Sequence, residues 1–439
     1  MIKRLASSLT IYLNLILSVS GFAQSSVSKP ILIPTEKISL QEGLPNHHIR
    51  SIIQDKSGFI WIGSINGLFK YDGVNFEWIN TFSSTRKNIQ NSVVNALFED
   101  REGDIWIGTS GGLDKLDTKF NTIVHYKQIS KPNFDHLHVD SCINTGEVRD
   151  IKQDTLGRLW IALYGGGVNC YDPKTRLFTH FINNRSGSLA HQSNLINGLF
   201  LDPDGTLWIA TESSGIFKMN VYSENQLTHI SSVEDGIYSS VFRDKKQQLW
   251  TGSWINGLVQ LEPQPLFCEK ILYDPLNNRN TVRSLMEDHS GKLWVATFRD
   301  GLFLYNSLSN NWTPIVYDTN GKGDIAKNMT TWTFFEDKSG LIWVGTWGDG
   351  IYKLSPNSDD FQTIYLSDEF KSTNILTFFK MDAQTILIGT ETQGLLKFNT
   401  NSKSISRVET TGRAIKNIRT IVKDREALFG LAAMMESFQ

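Results

Sequence analysis

Seven times along this 439-residue chain, an Asp is followed six residues later by a Trp, in the pattern Asp-x-x-Gly, two residues, Trp-Ile-Gly-Thr, a short gap and Gly-Leu. The copies are Asp55–Gly58–Trp61–Gly63–Gly67, Asp100–Gly103–Trp106–Gly108–Gly112, Asp154–Gly157–Trp160–Ala162–Gly167, Asp202–Gly205–Trp208–Ala210–Gly215, Asp244–Gln247–Trp250–Gly252–Gly257, Asp288–Gly291–Trp294–Ala296–Gly301 and Asp337–Gly340–Trp343–Gly345–Gly350. Successive Trp residues stand 45, 54, 48, 42, 44 and 49 residues apart. A period of this size marks a repeat architecture, and it overrides the two or three domains that length alone would suggest.

Each unit reads as a short antiparallel sheet. Asp-x-x-Gly suits a tight turn, with the Asp side chain accepting backbone N–H groups and Gly taking the positive-φ position. Trp-Ile-Gly-Thr is rich in strand formers, and its small third residue leaves room for a neighbouring strand. A further strand is marked by stretches such as Phe178–Phe181 and Phe361–Ile364. A four-stranded unit of this length cannot cover both of its faces alone, whereas units stacked radially cover each other and leave only short edges. The expectation is an all-β chain. It would hold a seven-bladed β-propeller of four-stranded antiparallel blades over residues 32–366, followed by an incomplete second propeller over 367–439. The repeated Trp is expected to pack blade against blade, since large aromatics supply core area first. The segment Ile31–Leu40 precedes the first repeat and is expected to complete the seventh blade, joining the ends of the ring. Phe361–Leu366 would then open the next propeller.

An eighth repeat is degenerate, with Met381, Gln384 and Leu387 in place of Asp, Gly and Trp, although Gly389 and Gly394 remain. A ninth starts at Ile418–Asp424, and a Trp is due at 430, where the chain has Gly430 within Leu428–Phe438. One T inserted before the Gly430 codon of a permissive reverse translation turns this stretch into Leu-Phe-Trp-Ile-Gly-Ser-Asn-Asp-Gly-Ile-Phe, the repeat itself. The expectation is a frameshifted, truncated product of a longer protein, and resequencing the locus tests it. A natural tail is the alternative.

The N-terminus reads as a signal peptide over residues 1–23. Lys3 and Arg4 precede a short apolar stretch, Leu9–Val19, and Gly21–Ala23 ends in small residues suited to cleavage before Gln24. The stretch is too short and interrupted for a comfortable membrane span. An uncleaved anchor is the alternative. The expected location is periplasmic. With 43 basic and 45 acidic residues there is no basic excess to neutralise phosphates, so nucleic acid is not an expected partner. Cys142, Cys170 and Cys268 show no CxxC spacing, so neither a disulfide framework nor a zinc site is indicated. No metal or other cofactor is expected. His136-Leu-His138, in the insertion before Asp154, fits a solvated loop better than a metal site.

Trp61-Ile-Gly-Ser-Ile-Asn-Gly-Leu68, after Asp55-Lys-Ser-Gly58 and Gly43-Leu-Pro-Asn46, resembles the two-component regulator propeller repeat. That repeat fills the periplasmic sensor half of hybrid two-component histidine kinases of Bacteroidota, and the resemblance spans about residues 32–426. It implies sensing of glycan fragments. It also implies two seven-bladed propellers, an all-β domain, a membrane helix, a kinase, a receiver and a DNA-binding domain, of which everything past the ninth repeat's start is missing here. The role carried over is therefore ligand sensing without kinase activity, and contact with a membrane would run only through the missing regions. A homodimer stays open.

In propellers, the loop after Trp-Ile-Gly-Thr opens on the face where each first strand begins. Its tips carry Ile65, Ser110, Tyr164, Glu212, Trp254, Phe298, Trp347 and Glu391. Tyr164, Trp254, Phe298 and Trp347, with Asn256, Arg299, Asp300 and Asp349, are the candidate sugar-stacking and hydrogen-bonding ring, with an oligosaccharide as the expected ligand. The alternative is that these aromatics merely cover the next blade's rim. No catalytic residues are assigned. The nine histidines show no HExxH pattern, and an Asp recurring once per blade is a turn residue rather than one of a paired acid and base. A secreted polysaccharide lyase or glycosidase is the competing class, and it would need carboxylates or a His/Tyr set converging at the ring mouth. A nonfunctional remnant is the third reading.

Overall fold

The computed structural model describes residues 26–39, 43–44, 46, 48–79, 81, 88–129, 138–181, 194–223, 227–230, 236–261, 268–271, 281–309, 311–318, 330–356, 374–382, 384–402, 404–408, 416–423 and 429–433. The signal-peptide segment and Phe361–Leu366 lie outside them. The named elements of the described residues are all β-strands, and no helix among them is long and apolar enough to cross a membrane. The chain divides into two units, one ending at Ser358 and one starting at Asp359.

In the first unit, each repeat is one antiparallel sheet whose strands follow chain order. The first blade is Ile49–Gln54, Ile60–Ser64, Gly67–Tyr71 and Phe76–Ile79. The six that follow begin at Val94, Glu147, Ile196, Tyr238, Val282 and Thr331. The first strands stand side by side from blade to blade, and that of the seventh, Thr331–Glu336, meets Ile49–Gln54, so the circle closes. Blade three has an extra outer strand, His138–Asp140, paired with Leu177–Phe181, so part of the insertion expected as a loop is sheet.

The N-terminal strand Ile31–Ile38 serves two blades. Thr35–Ile38 pairs antiparallel with Ile351–Leu354, supplying the seventh blade's outer strand. Ile31–Pro34 pairs in parallel with Ile315–Asp318 of the sixth, a second attachment beyond the one expected from sequence. Lys37 Nζ lies 2.6 Å from Asp349 Oδ1 and fixes this strand on the seventh blade.

The repeat's residue types follow from packing. Each Trp lies against the next blade: Trp61 sits with Val94, Ile105 and Ile107 of blade two, Trp250 with Val282, Val295 and Phe303 of blade six, and Trp343 with Ile52, Ile60 and Phe69 of blade one. The hydrophobic core is therefore seven inter-blade clusters rather than one centre. The small residue two after Trp is where the next blade's first strand presses in. A Cβ on Gly108 would fall 2.4 Å from Val148 Cγ1, and one on Gly345 would fall 2.7 Å from Ile49 Cγ2.

The Asp does more than shape a turn. In blade one, Asp55 Oδ1 accepts the Phe59 amide at 2.9 Å while Oδ2 accepts the Trp61 indole N–H at 2.8 Å. The same indole–carboxylate bond recurs in all seven blades, at 2.7 to 3.0 Å. The spacing of six is thus the reach from turn to indole across the hairpin. On this face, Lys338 Nζ of blade seven donates to the Asp55 carbonyl at 2.8 Å, as Lys56 does to that of Asp100 at 2.9 Å, so the ends of the ring are joined by the same bond as blades one and two.

The second unit holds one four-stranded sheet, Ile375–Lys380, Thr385–Thr390, Leu395–Asn399 and Ser404–Arg407, and the pair Ile418–Lys423 with Phe429–Ala433. In that pair Val422 stands opposite Gly430, as Ile53 stands opposite Trp61, so Gly430 occupies the register position of the repeat's Trp.

Candidate functional site

Each first strand of the ring carries a β-bulge at one position, five residues before the repeated Asp. The register shifts fall between Ile49 and Ser51, Val94 and Ala96, Val148 and Asp150, Ile196 and Gly198, Tyr238 and Ser240, Val282 and Ser284, and Thr331 and Thr333. A bulge re-aims one side chain out of the ladder. The seven bulged residues, Arg50, Asn95, Arg149, Asn197, Ser239, Arg283 and Trp332, all line one cavity of about 350 Å³ along the first strands at the middle of the ring.

Three guanidiniums share this space. Arg283 Cζ lies 3.6 Å from the Trp332 ring centroid and 5.3 Å from that of Trp254. Arg50 Cζ lies 5.1 Å from Trp332 and 5.2 Å from Trp347, and Arg149 Cζ 4.8 Å from Tyr164. Arg50 Nη1 donates to Asn95 Oδ1 at 2.7 Å, and Arg149 Nη2 lies 2.6 Å from Glu147 Oε2. The Nε atoms of Arg50 and Arg149 and the indole nitrogen of Trp254 are buried without hydrogen-bond partners among the described residues. Burial, with the charges of Arg149 and Arg50, pushes the Arg283 guanidinium down to about 10, against the opposing pull of Glu212.

The aromatic residues expected at the loop tips stand around these arginines. Trp254 stacks on Phe298, centroids 5.8 Å apart, and Trp347 stacks on Trp332 at 4.9 Å while His48 meets its edge at 4.6 Å. Trp347 is 41% exposed, so part of its indole reaches solvent beside Trp332, His48 and Arg50. Arg299 is exposed, at a φ of +78°, with its guanidinium 5.1 Å from the Phe298 ring. Asn256 forms the turn, its backbone N–H donating to Ser253 Oγ at 3.0 Å. Asp349 faces other duties, its carboxylate being held by Lys37 and by the Tyr352 hydroxyl. Sequence reasoning missed Arg50, Arg149, Arg283 and Trp332. The available signal was the position five before each Asp, flanked by apolar residues yet changing in kind from copy to copy.

Among the described residues no group of three or more His, Cys, Asp or Glu is placed to hold a metal ion. Cys170 is buried, which pushes its thiol up to about 12 and leaves it unreactive.

A family profile described as two component regulator propeller matches residues 43–66, 88–111, 191–213, 276–299 and 326–348. Histidine kinase P4 of Formosa agariphila is 22% identical over 271 residues, 59% of this chain and 20% of that protein. The extracellular domain of a protein assigned as a hybrid two-component system in B. thetaiotaomicron is 21% identical, with a TM-score of 0.62 over 91% of this chain and 52% of that one. Streptogramin B lyase aligns over 73% of this chain and 97% of its own at 14% identity, with a TM-score of 0.52. The chain thus spans about a fifth of the curated relative and about half of the solved extracellular domain, and the structural likenesses speak for the fold alone. The chain carries five matches to the two component regulator propeller repeat, at the positions of the blades' own repeats.

Proposed function

We propose that this chain is a ligand-sensing propeller of an exported two-component signalling protein, acting outside the cytoplasm, and that it takes an oligosaccharide at the mouth of the ring. The observation that carries the proposal is the set of aromatic side chains there: the partly exposed indole of Trp347 and the stacked pair of Trp254 and Phe298. Flat apolar faces beside polar donors are what pyranose rings stack on, and a concave site at the mouth of a closed β architecture is a common place for a ligand. The family resemblance supports the sensing role, and the kinase for which the curated relative is named would transmit the signal.

Calorimetry of the intact chain against a panel of plant and animal oligosaccharides tests this. At least one should bind, and Trp254→Ala with Trp347→Ala should weaken it at least tenfold while the circular dichroism spectrum is kept. Unchanged affinity in the double variant rejects the site. Release of a shortened or unsaturated product during the titration would favour an enzyme instead.

A further inference from the structure

We propose that the channel mouth is built for a saccharide bearing a negatively charged group, a carboxylate or a sulfate ester, held by Arg50, Arg149 and Arg283. The body of the ligand rests on the sugar-binding reading above, whereas its charge rests on the arginines alone.

Three bulges, in blades one, three and six, turn three guanidiniums into one cavity. Like charges brought together and partly stripped of water repel and lose hydration, so a merely structural cluster needs a carboxylate beside each. That balance is incomplete here. Glu147 takes Arg149, and the nearby Glu212 accepts the Asn197 amide at 2.8 Å. Among the described residues, Arg50 and Arg283 have no carboxylate at ion-pair distance. What they do have is aromatic rings: Trp332 under Arg283 at 3.6 Å, and Trp332 and Trp347 at about 5 Å from Arg50. An indole that covers the flat face of a guanidinium leaves the N–H edge free, and that edge is a fork matched to the two oxygens of a carboxylate or sulfate. The cavity of about 350 Å³ suits a mono- or disaccharide.

The test is calorimetry of the intact chain with sodium sulfate, with a sulfated or uronic-acid disaccharide and with neutral cellobiose. Sulfate should bind at millimolar concentration. The anionic disaccharide should bind at least tenfold tighter than cellobiose, and added salt should weaken it. Arg283→Gln and Arg50→Gln should each reduce anion affinity at least tenfold, whereas Arg283→Lys should retain part of it. Melting curves check that the variants fold. Sulfate and anionic sugar binding to Arg283→Gln as to the parent chain overturns the anion site, and binding of cellobiose alone overturns it while sparing the saccharide reading. Sulfate binding without any saccharide does the reverse.

Discussion

The bond between each Trp and its own Asp makes a quantitative claim that one blade can test. In blade six, Trp294 is fully buried between blades six and seven, and its indole N–H donates to Asp288 Oδ2 at 2.8 Å. Asp288 Oδ1 accepts the Lys292 amide at 2.9 Å and the Ser290 hydroxyl at 2.6 Å. The degenerate eighth repeat has Met381 and Leu387 at these two positions, so the pair is lost together there. Transplanting that solution into blade six gives a double-mutant cycle. Asp288→Met strands a buried indole N–H, and Trp294→Leu strands a buried carboxylate oxygen; each unmet group costs about 1–3 kcal/mol. Lost packing adds about 1–2 kcal/mol for Trp294→Leu, from a cavity relief of about 24 cal/mol per Å³. The singles should therefore cost about 1–3 and about 2–5 kcal/mol. The double variant, with neither partner left unpaired, should escape both penalties and so cost about 2–6 kcal/mol less than their sum. Urea unfolding followed by tryptophan fluorescence, checked for a single transition, reads this. Simple additivity would refute the view that the spacing of six exists to make this bond.

The same carboxylate carries a pH signature. Burial alone would raise the Asp288 carboxyl, but hydrogen bonds from Ser290, Trp294 and the Lys292 amide, with the Lys292 charge, hold it below its ordinary value. Its contribution to stability should be fully present above the unfolded value of about 3.9 and lost as pH falls through the lower folded value, a loss that Asp288→Met should abolish in acid titrations. Gln247 sits at a φ of +67° where the other six copies have Gly, so Gln247→Gly should stabilise the chain by about 0.5–1 kcal/mol in urea unfolding. Gly108→Ala should destabilise it by about 1–3 kcal/mol, and Val148→Ala in the next blade should recover part of that loss; no recovery would mean the two blades are not in contact there. Removing residues 26–38 bares the strand Ile351–Leu354 and should lower the melting temperature by several degrees, readable by calorimetry.

The sequence made the fold legible because its determinants are local and repeated. A Trp, a turn Asp and a small residue keep their spacing through seven copies, so each copy corroborates the others. The pairing of Asp with Trp was visible as spacing but not as a bond, since the spacing alone fits a turn residue that ends before the strand begins. Aromatics at the loop tips were legible because tip positions follow from the hairpin register. The arginine cluster was not. Its members are 99 and 134 residues apart in sequence, and their convergence depends on a bulge that only backbone register reveals. The ion pair of Asp349 was hidden for the same reason: its partner Lys37 lies 312 residues away, across the closure of the ring.

Closure is what the inter-blade core, the central cavity and the proposed ligand site all require, and a crystal structure of the chain measures it at one residue. Trp343 of the seventh blade should be found buried against Ile52, Ile60 and Phe69 of the first, with its indole nitrogen on Asp337. A Trp343 side chain facing solvent, with the first blade's face bare or covered by anything else, would contradict the ring and everything placed inside it.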